Sequence, residues 1–269
     1  MPEICEVSLI KFYLQDKLLN RSIFIEVNKE IKEFKIKNIE SKGKVLYFIL
    51  DPKKYIKFGF GLKGHITFEK TKNSKKYFKL DNDEILYFND PMKSFGSVNI
   101  LDKDDFLKEL SPDFLEDFTY NDLKNRLNRI IKKSKKDKNI TELLMSQKNS
   151  FGSGLGNYLV AEIMNDAVLS PFTKLSELDE DKLKKLEKSI KLIIKKSILY
   201  NEDGYFKNMD FREKIRDELI KKNTIHSNTK IDKPEFKFKV YKRVDDNKVT
   251  FSEIIKGRKT YHLKIFSNK

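Results

Sequence analysis

The sequence predicts an α+β fold in which an N-terminal helix precedes a β-sandwich, a helical region and a C-terminal pair of strands. Three observations predict this order. Apolar residues recur at helical spacing at the N-terminus and again beyond residue 111. Between these regions lie short alternating runs that turn residues separate, and strand-like alternation returns after residue 236. We therefore expect three domains, at residues 1–110, 111–232 and 233–269.

The first helix is predicted from Pro2 to about Asn20. Proline is a common first residue of a helix, and Glu3 and Glu6 lie in the first turn, where the helix dipole favours carboxylates. Ordinary helix-start chemistry is therefore one interpretation of both glutamates. The apolar side chains follow helical spacing at Ile4, Val7, Ile10, Leu14 and Leu18.

Short strands are predicted from residue 22 to residue 101. Turn signals such as Asp51-Pro52 and Asn89-Asp90-Pro91 separate them, a spacing that is typical of a β-sandwich. The clearest examples are Ser22–Val27, Val45–Leu50, Tyr55–Phe58, His65–Phe68, Ile85–Phe88 and Ser97–Leu101.

Helices are predicted to dominate from about Ser111, and a glycine-rich segment at Phe151–Asn157 separates two of them. The helical segments are Pro112–Phe118, Tyr120–Ser134, Ile140–Gln147, Asn157–Met164 and Leu175–Leu199. Strands are then expected at Phe236–Tyr241, Lys248–Ile255 and Thr260–Ile265.

The composition favours a polyanionic partner. Lysine and arginine total 56 against 41 acidic residues, which gives a net charge of +15. The alternative is a lysine-rich genome that uses lysine as a general surface residue. No apolar run reaches the roughly 20 residues that span a bilayer, and no signal peptide is evident, so we expect a soluble, intracellular protein without a membrane partner.

Cysteine usage argues against a metal centre. Cys5 is the single cysteine, so disulfides within the chain and cysteine-ligated zinc are both excluded. His65, His226 and His262 are far apart in sequence, and their spacing does not suggest a metal site. We expect neither a metal nor a cofactor.

Six motifs follow one another in order along nearly the whole chain. They are Pro2-Glu3-x-x-Glu6-Val7, Ser41–Phe48, Phe60–Ile66, Asn89–Gly96, the segment from Ser146 through Gly154-Leu155-Gly156-Asn157-Tyr158 to Glu162, and Gly257–Thr260. Together they resemble the Fpg/Nei family of bifunctional DNA glycosylases. The resemblance implies a catalytic N-terminal helix and β-sandwich, a helix–two-turns–helix DNA-binding domain and a C-terminal finger hairpin.

The resemblance implies catalysis by the N-terminal proline. Removal of Met1 would free the secondary amine of Pro2, which could attack the sugar carbon of an extruded nucleotide and form a Schiff base. An α-amino group has a lower unperturbed pKa than a lysine side chain, so more of it is unprotonated at neutral pH. Glu3 would transfer a proton to the sugar ring oxygen, Lys44 would contact a phosphate beside the lesion, and Glu6 would support them.

DNA contacts are also implied. Asn157, which we expect to be the N-cap of its helix, and Arg258 would bind phosphates, while residues 201–210 would line the base pocket. Leu62, Lys93 and Phe95 would fill the space that the flipped base leaves. Many relatives carry Met and Arg at the positions of Leu62 and Lys93. Met92 is an alternative to Lys93, and packing in the core is an alternative role for Leu62.

The C-terminus departs from the four-cysteine zinc finger of most bacterial relatives. Strand alternation and Gly257–Thr260 remain, as in the zincless finger of the endonuclease VIII-like branch. Hydrophobic contacts would then replace the metal. The expected core residues are Val240, Tyr241, Val249, Phe251, Ile254, Tyr261 and Ile265.

The resulting expectation is a monomeric DNA glycosylase and AP lyase of base-excision repair. It would act on double-stranded DNA with damaged bases or abasic sites and finish by β,δ-elimination. Oxidised pyrimidines and ring-opened or further-oxidised purines are the favoured substrates of the zincless branch. Two alternatives stay open: a non-catalytic binder of damaged or structured nucleic acid on the same scaffold, and a basic structural protein associated with RNA.

Overall fold

A computed structural model describes residues 2–93, 95–115, 119–134, 136–202, 209, 211–222 and 236–267. These residues form two compact units. The first unit contains residue 2 and residues 6–109, and the second contains residues 3–5 and the described residues from 110 onward. The second unit therefore includes the start of the N-terminal helix.

Helix α1 spans Ile4–Leu18, within the predicted segment. Its apolar positions are buried, including Ile4, Val7, Leu14 and Leu18, each at most 1% exposed. The predicted apolar positions are therefore buried, although residues 4–10 are buried on all sides of the helix.

The first unit contains one antiparallel sheet of eight strands. Their order is β5-β7-β6-β1-β2-β3-β4-β8. The strands are β1 at Ser22–Val27, β2 at Glu30–Lys42, β3 at Val45–Asp51, β4 at Lys54–Gly59, β5 at His65–Thr67, β6 at Ser74–Leu80, β7 at Ile85–Asn89 and β8 at Ser97–Leu101. A short helix, α2 at Asp105–Lys108, follows them.

Aromatic contacts show that this sheet bends over its own core. The ring of Phe58 on β4 lies 6.3 Å from that of Phe78 on β6 and 6.1 Å from that of Phe88 on β7. Three strands separate β4 from β6 in the sheet order, so a flat sheet could not bring these rings together. All three rings are at most 2% exposed. The sheet therefore folds into a β-sandwich-like layer pair, and the predicted α+β class is confirmed.

The second unit is mainly helical. Its helices are α3 at Tyr120–Lys133, α4 at Ile140–Met145, α5 at Asn157–Asp166, α6 at Glu180–Tyr200 and α7 at Arg212–Lys222. Thr119 and Asp122 form a capping box at the start of α3, and Asp179 caps α6. Strands β9, at Val249–Ile255, and β10, at Arg258–Leu263, form a separate antiparallel hairpin.

Two predicted elements are wrong. Residues 112–115 are not helical, because Asp113 pairs with Ser153 and its carboxylate accepts the backbone N–H of Leu115 at 2.6 Å. The predicted strand Phe236–Tyr241 forms turns after a single bridge at Phe236. In both segments, a buried carboxylate accepts backbone N–H groups, and these bonds replace the hydrogen bonds of the expected helix or strand.

The described residues were compared with the requirements of a membrane-spanning helix and of a metal-binding cluster. Among the residues that the structure describes, none of the helices combines the length and apolar character that crossing a membrane requires. Nor do the described His, Cys, Asp and Glu side chains form a group of three or more that could hold a metal ion.

Candidate active site and nucleic-acid interface

Glu3 is fixed by the backbone at the start of helix α5. Its side chain is 2% exposed. It accepts N–H bonds from Gly156 at 2.7 Å, Tyr158 at 3.1 Å and Leu159 at 3.3 Å. The first N–H groups of a helix have no partner within the helix, and its N-terminus carries positive partial charge. Glu3 therefore caps α5 from the opposite end of the sequence.

This arrangement corrects the prediction that Asn157 is the N-cap. The N-cap is Gly156, which has no side chain, and Asn157 is the first helical residue. Sequence reasoning missed the role of Glu3 as a cap because capping patterns are local, and Glu3 is more than 150 residues away. The glycine at the N-cap was the available signal, because it leaves the helix start without a capping side chain of its own.

The glycine-rich turn before α5 allows a close backbone approach. Ile4 donates its N–H to the carbonyl of Gly154 at 3.0 Å. Gly154 has φ +116°, and a Cβ at this position would lie 2.6 Å from Cδ1 of Ile4. Glycine is therefore required here for both its backbone conformation and its lack of a side chain. The turn therefore brings Ile4 into direct contact with the backbone just before α5.

Asn157 and Arg258 lie close together in the second unit. The side-chain amide of Asn157 donates to the carbonyl of Lys259 at 2.8 Å. Arg258 begins β10 at the tip of the hairpin, is exposed, and precedes a bulge between Arg258 and Thr260. The structure therefore gathers Glu3, Asn157 and the Arg258 segment around the beginning of α5.

The remaining predicted catalytic residues belong to the first unit. Lys44 occupies the two-residue turn Gly43-Lys44 between β2 and β3 and is partly exposed. Gly43 has φ +60°, and glycine at the first central position is typical of a type II′ hairpin turn. Glu6 is 1% exposed in the first turn of α1, and Pro2 is buried.

The predicted void-filling residues lie on two exposed loops. Leu62 is 41% exposed and Phe95 is 67% exposed, and Met92 between them in sequence is 44% exposed. Leu62 is therefore not a core residue, which removes the packing alternative. Lys93 is also exposed, with φ +55°. Four large side chains are thus presented to solvent at these loops rather than buried beneath them.

The two loops are held against each other at Gly61. A Cβ at this residue would lie 2.7 Å from the carbonyl carbon of Phe95 and 2.8 Å from the nitrogen of Gly96. The loop that carries Leu62 therefore packs directly on the backbone of the loop that carries Phe95. The two segments that were predicted separately from sequence are therefore in direct contact at Gly61.

A buried aspartate shapes the second loop. Asp90 is 1% exposed and accepts the N–H of Gly96 at 3.1 Å. Lys75 lies 3.5 Å from the same carboxylate and donates to the carbonyl of Gly96 at 2.7 Å. Lys93 closes the turn by donating its N–H to the carbonyl of Asp90 at 3.0 Å. Sequence reasoning placed Asp90 in a turn but missed its role in shaping the loop.

A small hydrophobic core supports the C-terminal hairpin. Ala161, Val240 and Val249 are buried together, with Tyr241, Tyr261 and Leu263 packed against them. Four of the predicted core residues are in this cluster. Phe251 and Ile265 are not in it, since they are 43% and 71% exposed. Ile254 is partly buried, outside the cluster.

Aromatic rings extend this core into a connected chain. The ring of Tyr241 lies 5.3 Å from Phe238, 5.2 Å from Tyr261 and 6.1 Å from Tyr158 on α5. Such edge and tilted ring pairs contribute roughly 0.5–1.5 kcal/mol each beyond their buried area. The hairpin is therefore attached to helix α5 by aromatic packing. The predicted base-pocket segment, residues 201–210, lies outside the described residues except for Asn201, Glu202 and Met209.

Comparison with known proteins places these features in a family. Residues 1–98 match the model of the formamidopyrimidine-DNA glycosylase N-terminal domain. The formamidopyrimidine-DNA glycosylase of Carboxydothermus hydrogenoformans is 30% identical over 221 residues, which cover 74% of this chain and 78% of that protein. The chain belongs to the Fpg/Nei family. The enzyme of the same name from the Wolbachia endosymbiont of Brugia malayi is 28% identical over 218 residues, 74% of this chain and 79% of that protein.

Solved structures share the Fpg fold. The Lactococcus lactis Fpg in complex with DNA that contains an abasic site has a TM-score of 0.72 at 20% identity, and the match covers 99% of this chain and 100% of that one. The MutM (Fpg) protein of Thermus thermophilus has a TM-score of 0.63 at 21% identity, over 73% and 76% of the two chains. The family prediction is confirmed, whereas the endonuclease VIII-like branch stays a prediction.

Proposed function

We propose that this Fpg/Nei-family protein is a bifunctional DNA glycosylase and AP lyase that acts through a Schiff base on Pro2. The observation that carries the proposal is the position of Glu3, whose carboxylate is held by three backbone N–H groups while its neighbour Pro2 supplies the amine. The relatives are named as formamidopyrimidine-DNA glycosylases, and the Lactococcus lactis neighbour was solved with abasic-site DNA. Both names support a DNA substrate.

The chemistry begins with removal of Met1, which converts the tertiary amide of Pro2 into a secondary amine. The nitrogen lone pair of this amine attacks C1′ of an extruded nucleotide, and the base departs with the electrons of the glycosidic bond and takes up a proton. The ammonium nitrogen that results from the attack gives up its N–H proton to the Glu3 carboxylate, and Glu3 passes this proton to the sugar ring oxygen. The ring then opens as the freed nitrogen lone pair forms the iminium.

Strand cleavage follows from this iminium, because it acidifies C2′. Loss of a C2′ proton expels the 3′ phosphate in β-elimination, and a second proton loss expels the 5′ phosphate in δ-elimination. Water then hydrolyses the imine and regenerates the amine of Pro2. Each step moves protons between side chains, sugar and water, so it uses neither a metal nor a redox cofactor.

The other named residues bind and shape the DNA. Asn157 and Arg258 contact phosphates from the α5 start and the hairpin tip, and Lys44 contacts a phosphate as a point charge. Leu62 and Phe95, with Met92 or Lys93, enter the space that the flipped base vacates. The protein acts as a monomer, and its substrates are oxidised pyrimidines and ring-opened or further-oxidised purines.

Borohydride trapping on a duplex with one abasic site tests this proposal. Reduction of the iminium should give a covalent protein–DNA complex with the wild-type chain. Pro2→Thr should abolish trapping and still bind the duplex. A chain with an N-terminal extension is the matched control, because it keeps Pro2 but leaves its nitrogen in an amide. Trapping of that extended chain at the wild-type level would contradict the proposal.

One observation favours a second candidate, a non-catalytic binder of damaged nucleic acid. Asn157 and the Arg258 segment lie together at the start of α5, and a phosphate contact there needs no amine. A binder would need Asn157 and Arg258 but not the amine. The trapping experiment separates the two, since a binder should retain the abasic duplex without a covalent product.

A further inference from the structure

Glu162, in the middle of helix α5, makes an unusual contact with the segment that leads into the C-terminal hairpin. Its side chain is 2% exposed. One carboxylate oxygen accepts the N–H groups of Val240 at 3.0 Å and Tyr241 at 2.9 Å, and the other accepts that of Lys239 at 3.0 Å. Three consecutive backbone N–H groups thus converge on one buried carboxylate.

This geometry is an anion-binding turn whose anion is part of the protein. Consecutive N–H groups that point to one side form a concave site that favours negative charge. Bonds from such groups to an ionised carboxylate are shorter and about twice as strong as bonds between neutral groups. Because 77 to 79 residues separate Glu162 from its donors, the contact is tertiary and fixes the turn to α5.

A second contact fixes the far end of the hairpin to the same helix. Asn157 binds the carbonyl of Lys259, next to Arg258. Helix α5 therefore holds the finger, which we define as residues 236–263, at two points, Glu162 at its leading turn and Asn157 at its tip. The aromatic chain through Tyr241 and Tyr261 lies between these points.

The hairpin keeps its own hydrogen bonds independently of both contacts. Strands β9 and β10 pair from Val249↔Leu263 to Ile255↔Arg258. Loss of Glu162 would therefore leave the hairpin intact but release its leading turn. Since Arg258 is at the hairpin tip, its position relative to the start of α5 depends on how the finger is docked.

We propose that Glu162 is a positioning residue that docks the finger on helix α5 and thereby sets where Arg258 meets the DNA backbone. The predicted effect on DNA binding rests on the proposed function. The predicted effect on docking of the finger does not depend on it. The carboxylate does not touch the DNA or the reacting atoms. It acts through the three N–H groups of residues 239–241.

Hydrogen exchange on the free protein tests whether Glu162 docks the finger, with Glu162→Gln as the variant. An amide of the same size loses the charge and turns an N–H₂ group toward one of the three donors. The amides of residues 239–241 should exchange at least tenfold faster, while those of β9 and β10 stay protected. Glu180→Gln is the matched control, because Glu180 is an exposed glutamate on α6.

The effect on DNA is tested by two measurements. Binding is measured on a duplex that contains a reduced abasic analogue, and the rate of the reaction is measured on abasic DNA. Glu162→Gln should weaken binding about tenfold, the factor expected from loss of a bond to a charged group. The single-turnover rate at saturating abasic DNA should stay within about twofold of wild type, because Pro2 and Glu3 are unchanged. Glu162→Asp keeps the charge and should recover part of both the protection and the affinity.

Two results would overturn the inference. One is unchanged exchange at residues 239–241 in Glu162→Gln, which would show that the carboxylate does not dock the turn. The other is faster exchange with unchanged affinity, which would show that docking does not position Arg258. Failure of the proposed function has a different signature, namely no borohydride trapping by the wild-type chain. The hydrogen-exchange result does not depend on trapping.

Discussion

Two buried glutamates show how single residues organise the second unit. Glu3 and Glu162 each accept three backbone N–H groups, and both act on helix α5, one at its start and one from its middle. A buried carboxylate is costly unless it is fully hydrogen-bonded, and multiple backbone donors offset that cost. Both side chains therefore link segments that are distant in sequence.

The ionisation of Glu162 gives a prediction at this scale. Burial raises the pKa of its carboxyl above the ordinary value of 4.5, while the three N–H groups and the charge of Lys239 oppose the shift. A folded-state pKa above the unfolded value means that the contribution of this group to stability is present below the unfolded value and is lost as pH rises through the folded value. We expect the free energy of unfolding of wild type, relative to Glu162→Gln, to fall as pH rises from about 4.

Urea unfolding of both proteins at a series of pH values measures this difference. Subtracting the variant from wild type removes the titration of all other carboxylates. A difference that is flat with pH would mean that Glu162 has the same pKa in the folded and unfolded chains, contrary to the burial described here.

At the scale of elements, the two exposed loops of the first unit depend on Gly61. Alanine at this position should be destabilising for two reasons. Its φ of +55° costs a residue with a Cβ about 1–2 kcal/mol, and the Cβ would press on the backbone of Phe95. We expect Gly61→Ala to lower the free energy of unfolding by more than this backbone cost and to weaken binding to a duplex with a flipped nucleotide.

Gly257→Ala is the matched control for this substitution. Gly257 has φ +74°, and a Cβ there would meet nothing within 4 Å. It therefore carries the backbone cost without the contact. Thermal unfolding followed by circular dichroism measures both variants. Equal destabilisation of the two would show that the contact between the loops contributes nothing.

The sequence predicted regular elements well where side-chain periodicity decides the structure. Strands β1 and β8 have the predicted bounds, and α5 starts at the predicted residue. Strand β6 and the long strand β2 were not among the predicted segments. In β2, charged residues occupy most of the exposed positions, Ile31 is also exposed, and few residues are buried. Helix α7 was also not among the predicted segments, because Ile215 and Leu219 provide little apolar periodicity.

The sequence predicts a set of candidate site residues but not their arrangement. The order of the motifs identified the family, and the glycine turn pointed to a helix start. Capping of α5 by Glu3 and docking of residues 239–241 by Glu162 both rest on bonds over large sequence separations. Local patterns contain no information about such bonds, so these contacts could be found only from the structure.

At the scale of the whole molecule, the predicted functional residues are distributed over both units. Pro2, Lys44 and the two exposed loops belong to the first unit, whereas Glu3, Asn157 and Arg258 belong to the second. The net charge of +15 adds a long-range attraction for a polyanion such as DNA.

Mapping of the borohydride-trapped complex by mass spectrometry tests the central claim most directly. After proteolysis and nuclease digestion, the reduced sugar should be found on the nitrogen of Pro2, in a peptide that begins at this residue and lacks Met1. An adduct on Lys44 or another lysine, or a trapped peptide that still carries Met1, would contradict the claim that the N-terminal proline is the nucleophile.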